Sequence, residues 1–226
     1  MPYYKEQNIL FIHIPKTGGR VIEHELARRY NPSVMCRQIK LEPPYNKITL
    51  QHQYYTTLYK FKNKLKINFD NIKIFSIVRN PYDRVISDLF HFKKIGINFT
   101  SEQVCHVIKN NYLYNDFASL DNHNSPQYKY ITDENGELIK NIKLFKTETL
   151  DESNDELNNF MGFNINIKLK EFIANMDPTR ADLFINKARI SDYSKSDYSK
   201  YLNEESISLI NNFYKKDFEL FNYELK

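Results

Sequence analysis

Residues 8–20 read NILFIHIPKTGGR, and the parsing of this stretch decides the architecture. Asn8 to Ile14 is a compact apolar run with β-branched and aromatic members, closed by Pro15 and the Gly18-Gly19 pair. That is the pattern of a buried parallel strand entering a loop. From Arg20 the spacing turns helical, with Val21, Ile22, Leu26 and Ala27 on one side and Glu23, Glu25, Arg28 and Arg29 elsewhere, until Asn31-Pro32 stops it. Strand, glycine-containing loop and helix therefore follow in order. The glycines let the backbone approach a phosphate while successive N–H groups point at it, an anion cradle in outline. It is not the triphosphate-binding GxxxxGK[ST] loop, which is longer and places its lysine after the glycines, whereas Lys16 precedes Gly18 and Gly19.

The same unit recurs at residues 72–90, IKIFSIVRNPYDRVISDLF. Ile72 to Val78 predicts a second strand, and Pro81 opens a helix over Tyr82 to Lys94 with Val85, Ile86, Leu89 and Phe90 at helical spacing. Between the two units, Pro32 to Tyr59 predicts a loop region interrupted by a brief strand near Ile48 to His52. Further on, the pattern predicts helices at Ser101 to Tyr112, starting from Thr100, and at Ser153 to Met161, a strand at Ile142 to Lys146, and a turn at Asp133 to Glu137. A helix from about Asn203 to Phe213 follows a polar loop or lid over Asp182 to Tyr201. The alternation predicts an α/β fold: a single domain over residues 1–226, a central mainly parallel β-sheet flanked by helices, and a P-loop-like phosphate-binding strand–loop–helix. The ligand is expected at the carboxyl ends of the strands, where both motifs sit.

Composition narrows the function classes. The 226 residues are long enough to bury a sheet under helices, and the hydrophobic share of 41% argues against wholesale disorder. The net charge of +4, from 32 basic and 28 acidic residues, suits an anionic ligand but is too small for a nucleic-acid coat. Cys36 and Cys105 are far apart and lack metal-ligand spacing, so free thiols are expected and no zinc site. The N-terminal segment has no basic region followed by a long apolar stretch, and the run Ile9 to Ile14 is too short to span a bilayer. A protein that is cytoplasmic or otherwise soluble, without signal peptide or membrane anchor, is expected, with no signal as to oligomeric state.

FIHIPKTGGR at Phe11 to Arg20 resembles the sulfotransferase superfamily that uses 3′-phosphoadenosine 5′-phosphosulfate (PAPS), specifically the carbohydrate group that includes heparan sulfate 2-O-sulfotransferases. IFSIVRNPYDRVISDLF at Ile74 to Phe90 is similar to that family's second signature, an arginine at a strand end and a serine in the following helix. The resemblance implies that Lys16 contacts the 5′-phosphosulfate and its bridging oxygen. It implies that the backbone and hydroxyl of Thr17 and the N–H groups of Gly18, Gly19, Arg20 and Val21 hold the phosphate. It places Arg79 and Ser87 on the 3′-phosphate, and Lys187 and Arg189 in a basic loop that closes over the donor. Arginine suits this role because its planar fork grips phosphate through paired charge-assisted hydrogen bonds.

Sulfuryl transfer is an in-line displacement that needs positioning, positive charge and a base, and no metal. His52, in LQHQYY, is the expected base, because related enzymes carry a histidine between the two donor motifs; where the family often has glycine before it, this chain has Gln51. His13 reads as a hydrogen-bonded structural residue within a buried strand, and His24, His91, His106 and His123 show no partner pattern. Gln127 and Glu148 fall near family-like positions without a catalytic assignment, both reading as helix-cap or surface residues. Tyrosines at 54, 55, 59, 193, 198 and 201 offer faces for sugar or adenine. The expected acceptor is a hydroxyl-bearing molecule, a carbohydrate by family analogy, with PAP (adenosine 3′,5′-diphosphate) as product. Two rival readings stand beside this one: a divergent P-loop kinase or NTPase, opposed by Arg79 where a magnesium-binding aspartate would sit, and a non-catalytic glycan-binding relative.

Overall fold

The computed structural model describes residues 2–30, 40–174 and 198–226. Its chain opens with a two-residue strand β1 (Tyr3–Tyr4), then β2 (Ile9–Ile12) and helix α1 (Gly19–Arg29). Short helices α2 (Tyr55–Lys60) and α3 (Lys62–Leu65) lead to β3 (Lys73–Val78) and α4 (Pro81–His91). Helix α5 (Ser101–Asn111) precedes β4 (Ile142–Lys146), and α6 (Asn154–Met161), α7 (Leu169–Ala174), α8 (Glu204–Phe213) and α9 (Lys215–Phe221) complete the described elements. The sheet has four strands in the order β1-β2-β3-β4. β2, β3 and β4 run parallel, with Phe11 beside Phe75 and Phe75 beside Lys143, while β1 adds an antiparallel edge through Tyr3 and Leu10.

Helices cover both faces, which is why the strands read as continuous apolar runs. Alternation along each strand divides the residues cleanly. Ile9, Phe11, Phe75, Ile77 and Phe145 pack under α1 through Val21, Ile22 and Leu26, and under α6 through Leu157 and Met161. Leu10, Ile12, Ile74 and Val78 face the other way, onto Leu50, Leu58, Leu65, Tyr130 and Phe221. A third cluster joins α4, α5 and α8 through Val85, Leu89, Val104, Ile108 and Ile210.

Three expectations change. Residues 48–52 form no strand: Tyr45–Lys47 and Leu50–His52 are 3₁₀ turns. Their polar groups are met by side chains, with Gln53 Nε2 donating to the carbonyls of Tyr45 and Ile48 and Thr49 N donating to Asp121, so no neighbouring strand is needed. The stretch around residue 55, read as loop, carries α2, whose β-branched and aromatic residues have poor helix propensity and which is held by burial of Thr57 and Leu58. α9 stands where the sequence predicts no helix; its Asp217 is wholly buried and accepts from the N–H groups of Gln127 and Tyr128. Lys187, Arg189 and Cys36 lie outside the described residues, as does most of the expected lid, and Cys105 is a buried free thiol. Among the described residues no helix is long and apolar enough to cross a membrane.

Candidate active site

The two singled-out motifs meet at the carboxyl ends of β2 and β3. The loop after β2 is shaped by what its carbonyls do. Arg84 Nε donates to the Pro15 carbonyl at 3.0 Å, Arg79 Nη1 to the Lys16 carbonyl at 3.2 Å, and Thr147 Oγ1 to the Thr17 carbonyl at 2.7 Å. In a trans peptide the N–H points opposite to the carbonyl of the same plane. Three consecutive pinned carbonyls therefore turn the N–H groups of Lys16, Thr17 and Gly18 to the other side together. Positive φ angles at Lys16 (65°) and Gly18 (84°) curl the loop into the kind of backbone concavity that accepts anions.

α1 continues the arrangement. Gly18 is its N-cap with no side-chain cap, and the first turn holds no acidic residue, so the positive end of the helix is left unneutralised. Gly19 is required sterically: a Cβ there would lie 2.8 Å from Phe11 Cζ and 3.1 Å from His13 Nε2. Thr17 is fully buried and its hydroxyl donates to the Ile14 carbonyl at 2.9 Å, so its own N–H is the donor it turns to the concave side. Lys16 and Gly18 are part-exposed, Gly19 and Val21 are buried, and Arg20 is exposed on the first turn.

Arg79 is held on both sides by Gln127, which is fully buried and not the cap or surface residue expected: the Arg79 N–H donates to Gln127 Oε1 at 2.9 Å and its carbonyl accepts from Gln127 Nε2 at 2.8 Å. Its guanidinium lies 5.7 Å from the centre of the Tyr198 ring. Asn80 caps α4 by accepting from Tyr82 N, with Pro81 in the first turn. Glu148 accepts from Asn80 N at 2.8 Å and from the Tyr223 hydroxyl at 2.9 Å, so it serves that helix start, in line with its reading as a cap. Arg84, Ser87 and Asp88 are buried on α4, and Arg84 Nη2 also donates to the His123 carbonyl at 2.6 Å. Arg84 Nη1 is buried with no hydrogen-bond partner among the described residues.

Beside the loop lies a row of histidines. His52 Nδ1 is 2.7 Å from Asp121 Oδ2, His13 Nδ1 2.7 Å from Glu23 Oε1, and His123 Nδ1 2.6 Å from Asp88 Oδ1. The ring centres of His13 and His52 are 5.7 Å apart, those of His52 and His123 4.8 Å, and His91 stacks on His123 at 5.2 Å. His123 and His91 show no partner pattern in the sequence, yet His123 flanks His52 and His91 stacks on His123; the partner of His123 is 35 residues away in the chain, a separation no local pattern reveals. His13 is buried and hydrogen-bonded as expected, but it also borders the expected base. Gln51, the departure from the family pattern, donates to Glu23 Oε2 at 3.0 Å and so ties the His52 turn to α1.

Asp121 and Asn122 both have positive φ, which brings Asp121 under Thr49 and His52. The Asp121 carboxylate accepts from Thr49 N at 2.6 Å and Thr49 Oγ1 at 2.8 Å, and Asn122 Nδ2 donates to the His52 carbonyl at 2.9 Å. Burial pushes His52 down to about 4, with His123 and His13 acting the same way and the hydrogen bond to Asp121 opposing. Burial by itself would raise Glu23, but the charge and hydrogen bond of His13 hold it at about 2; Asp88 is likewise held at about 2 by His123, Lys16 and Arg84 against its burial. With an ionised, acceptor-only carboxylate on its Nδ1, His52 carries its proton there and keeps Nε2 as the lone-pair atom.

A cradle of turned N–H groups, two arginines drawn to its rim and a neutral, carboxylate-oriented imidazole can together bind an oxyanion and accept a proton from a nearby hydroxyl. Residues 3–224 match the model of the Sulfotransferase family. No curated protein and no solved structure matches the chain.

Proposed function

Since the chain belongs to the sulfotransferase family, whose model covers nearly its whole length, we propose that it moves the sulfuryl group of PAPS to the hydroxyl of an acceptor, a carbohydrate in the manner of the heparan sulfate 2-O-sulfotransferase group. Lys16 and the N–H groups from Thr17 to Arg20 hold the 5′-phosphosulfate, the expected Val21 N–H being committed to the Gly18 carbonyl at 3.2 Å. Arg79 and Ser87 hold the 3′-phosphate, with Lys187 and Arg189 as the residues that close over the donor. In the transfer, the acceptor oxygen forms a bond to sulfur in line with the bridging oxygen, and the bond from sulfur to that oxygen breaks. The acceptor proton passes to His52 Nε2, and the charge gathering on the leaving phosphate is met by Lys16 and the loop amides. No step calls for a metal.

The observation that carries this reading is the meeting of the two motifs, the Arg79 guanidinium resting on the carbonyl of Lys16. A kinase or NTPase has less support, because the end of β3 offers this arginine in place of a magnesium ligand. Calorimetric titration of the protein with PAP and, in parallel, with ATP in the absence of metal tests it. Tight PAP binding that is strongly weakened by Lys16→Ala is expected; preference for ATP, or binding of neither nucleotide, would remove the proposal.

A further inference from the structure

The histidine row carries chemistry that the transfer does not use. His52, Asp121 and His123 each offer one ligand atom, and the three atoms lie within 4.8 Å of one another. The two rings stand at 88° with centres 4.8 Å apart. An ion bound about 2.0–2.1 Å from a ring nitrogen holds each ring centre about 3.2 Å away, so two imidazoles at a tetrahedral angle have centres about 5 Å apart. The rings are already at that spacing. The supporting contacts are of the right kind: His123 is oriented by Asp88 through Nδ1 at 2.6 Å, as metal-bound imidazoles are oriented by an outer carboxylate. Asp121 is held by Thr49 through N at 2.6 Å and Oγ1 at 2.8 Å, and its Oδ2 lies 2.7 Å from His52 Nδ1, so an ion between them takes the place of the shared proton and spreads the pair to ligand spacing.

We propose that His52, Asp121 and His123 form a binding site for one divalent transition cation of the zinc type. Two imidazoles and a single carboxylate suit zinc or cobalt(II), and fall short of the oxygen-rich shells that calcium and magnesium take. Three protein ligands leave a fourth position for water or an anion. The ion has an immediate consequence for the transfer proposed above. A His52 ring held by a metal no longer takes the acceptor proton, so the bound ion inhibits. That inhibition rests on the role given to His52; the binding does not.

Cobalt(II), added to chelator-treated full-length protein, is the probe, with visible d–d bands as the read-out. One equivalent is expected to develop bands of tetrahedral intensity, lost in both Asp121→Asn and His123→Ala and retained in His24→Ala and His106→Ala, whose parent histidines are exposed. Should His123→Ala fail to fold, Asp121→Asn decides, its fold checked by thermal melting. Zinc is also expected to raise the melting temperature of the wild type and not of Asp121→Asn, as binding to the native state alone requires. Absence of bands in the wild type at cobalt well above the protein concentration, or bands that survive either site substitution in a folded protein, overturns the site. The spectrum needs neither PAPS nor acceptor, so failure of the donor assignment leaves it unchanged. Where turnover is present, a rate unmoved at saturating zinc overturns the inhibition.

Discussion

Arg79 serves two ends at once. Its backbone is locked by Gln127 and its guanidinium holds the carbonyl of Lys16, so the residue proposed for the 3′-phosphate also shapes the loop proposed for the 5′-phosphosulfate. A hydrogen bond to a charged group is worth about 1.5–3 kcal/mol. Arg79→Ala is therefore expected to weaken PAP binding by roughly 10- to 150-fold in calorimetry, and an unchanged affinity would count against the assignment. His52 allows a separation of binding from chemistry. His52→Ala is expected to keep PAP affinity and to lower kcat by about 10²–10⁴-fold, the range of a general base. Because burial keeps His52 neutral down to about 4, kcat/KM should stay level through weakly acidic pH and fall with a midpoint near 4. The Asp121 hydrogen bond raises that value, so Asp121→Asn should move the midpoint lower; a wild-type midpoint at the ordinary imidazole value would refute the role of burial.

At the scale of elements, the loop and helix starts give contrasts that can be measured by melting. Gly18 has φ +84°, and a side chain at Gly19 would press on Phe11 and His13, whereas a Cβ at Gly96 would meet Phe99 atoms no closer than 3.5 Å. Gly19→Ala is expected to cost about 1–3 kcal/mol through overpacking, lowering the melting temperature by about 2–4 °C for each kcal/mol, while Gly96→Ala is expected to be silent. Equal melting temperatures for the two variants would contradict the close approach. α5 opens on a reciprocal capping box, Thr100 accepting from Gln103 N and Gln103 Oε1 accepting from Thr100 N. Thr100 was legible as a helix start because hydroxyl caps satisfy orphan N–H groups locally, and Thr100→Ala should destabilise by about 1 kcal/mol in urea titration. By contrast the 3₁₀ turns at 45–52 were not legible, since their hydrogen-bond partners include Asp121, 72 residues beyond Thr49.

For the molecule as a whole, the buried carboxylate–imidazole pairs link stability to pH. Glu23 and Asp88 ionise near 2 in the folded chain against ordinary values of 4.5 and 3.8, so their stabilisation is full above those values and is lost as pH falls toward 2. His52 acts with the same sign at higher pH: the unfolded chain takes its proton near 6.5 and the folded chain only near 4, which already weakens folding across that interval. Urea midpoints are expected to decline from pH 7 to pH 4 and to drop further at pH 3. The Asp88→Asn variant should flatten the lower part of the curve, and a midpoint that rises on acidification would contradict the coupling. The three pairs lie in one row, and those of His52 and His123 join segments 69 and 35 residues apart, so their protonation should loosen the site and the fold together.

What the sequence determined by itself were the two strand–loop–helix units, the mainly parallel sheet and the helix starts at Pro81 and Thr100, all written in local periodicity, glycine and proline placement and capping residues. Once those runs are strands, Phe11 and Phe75 must face away from Leu10 and Ile74, because a strand turns successive side chains to opposite faces. Only the tertiary structure decided that Arg79, Arg84 and Thr147 pin three successive loop carbonyls. It alone showed that His123 and Asp121 stand beside His52. Those contacts span tens of residues and depend on which strand ends the sheet brings together, and a pattern read along the chain has no access to that distance.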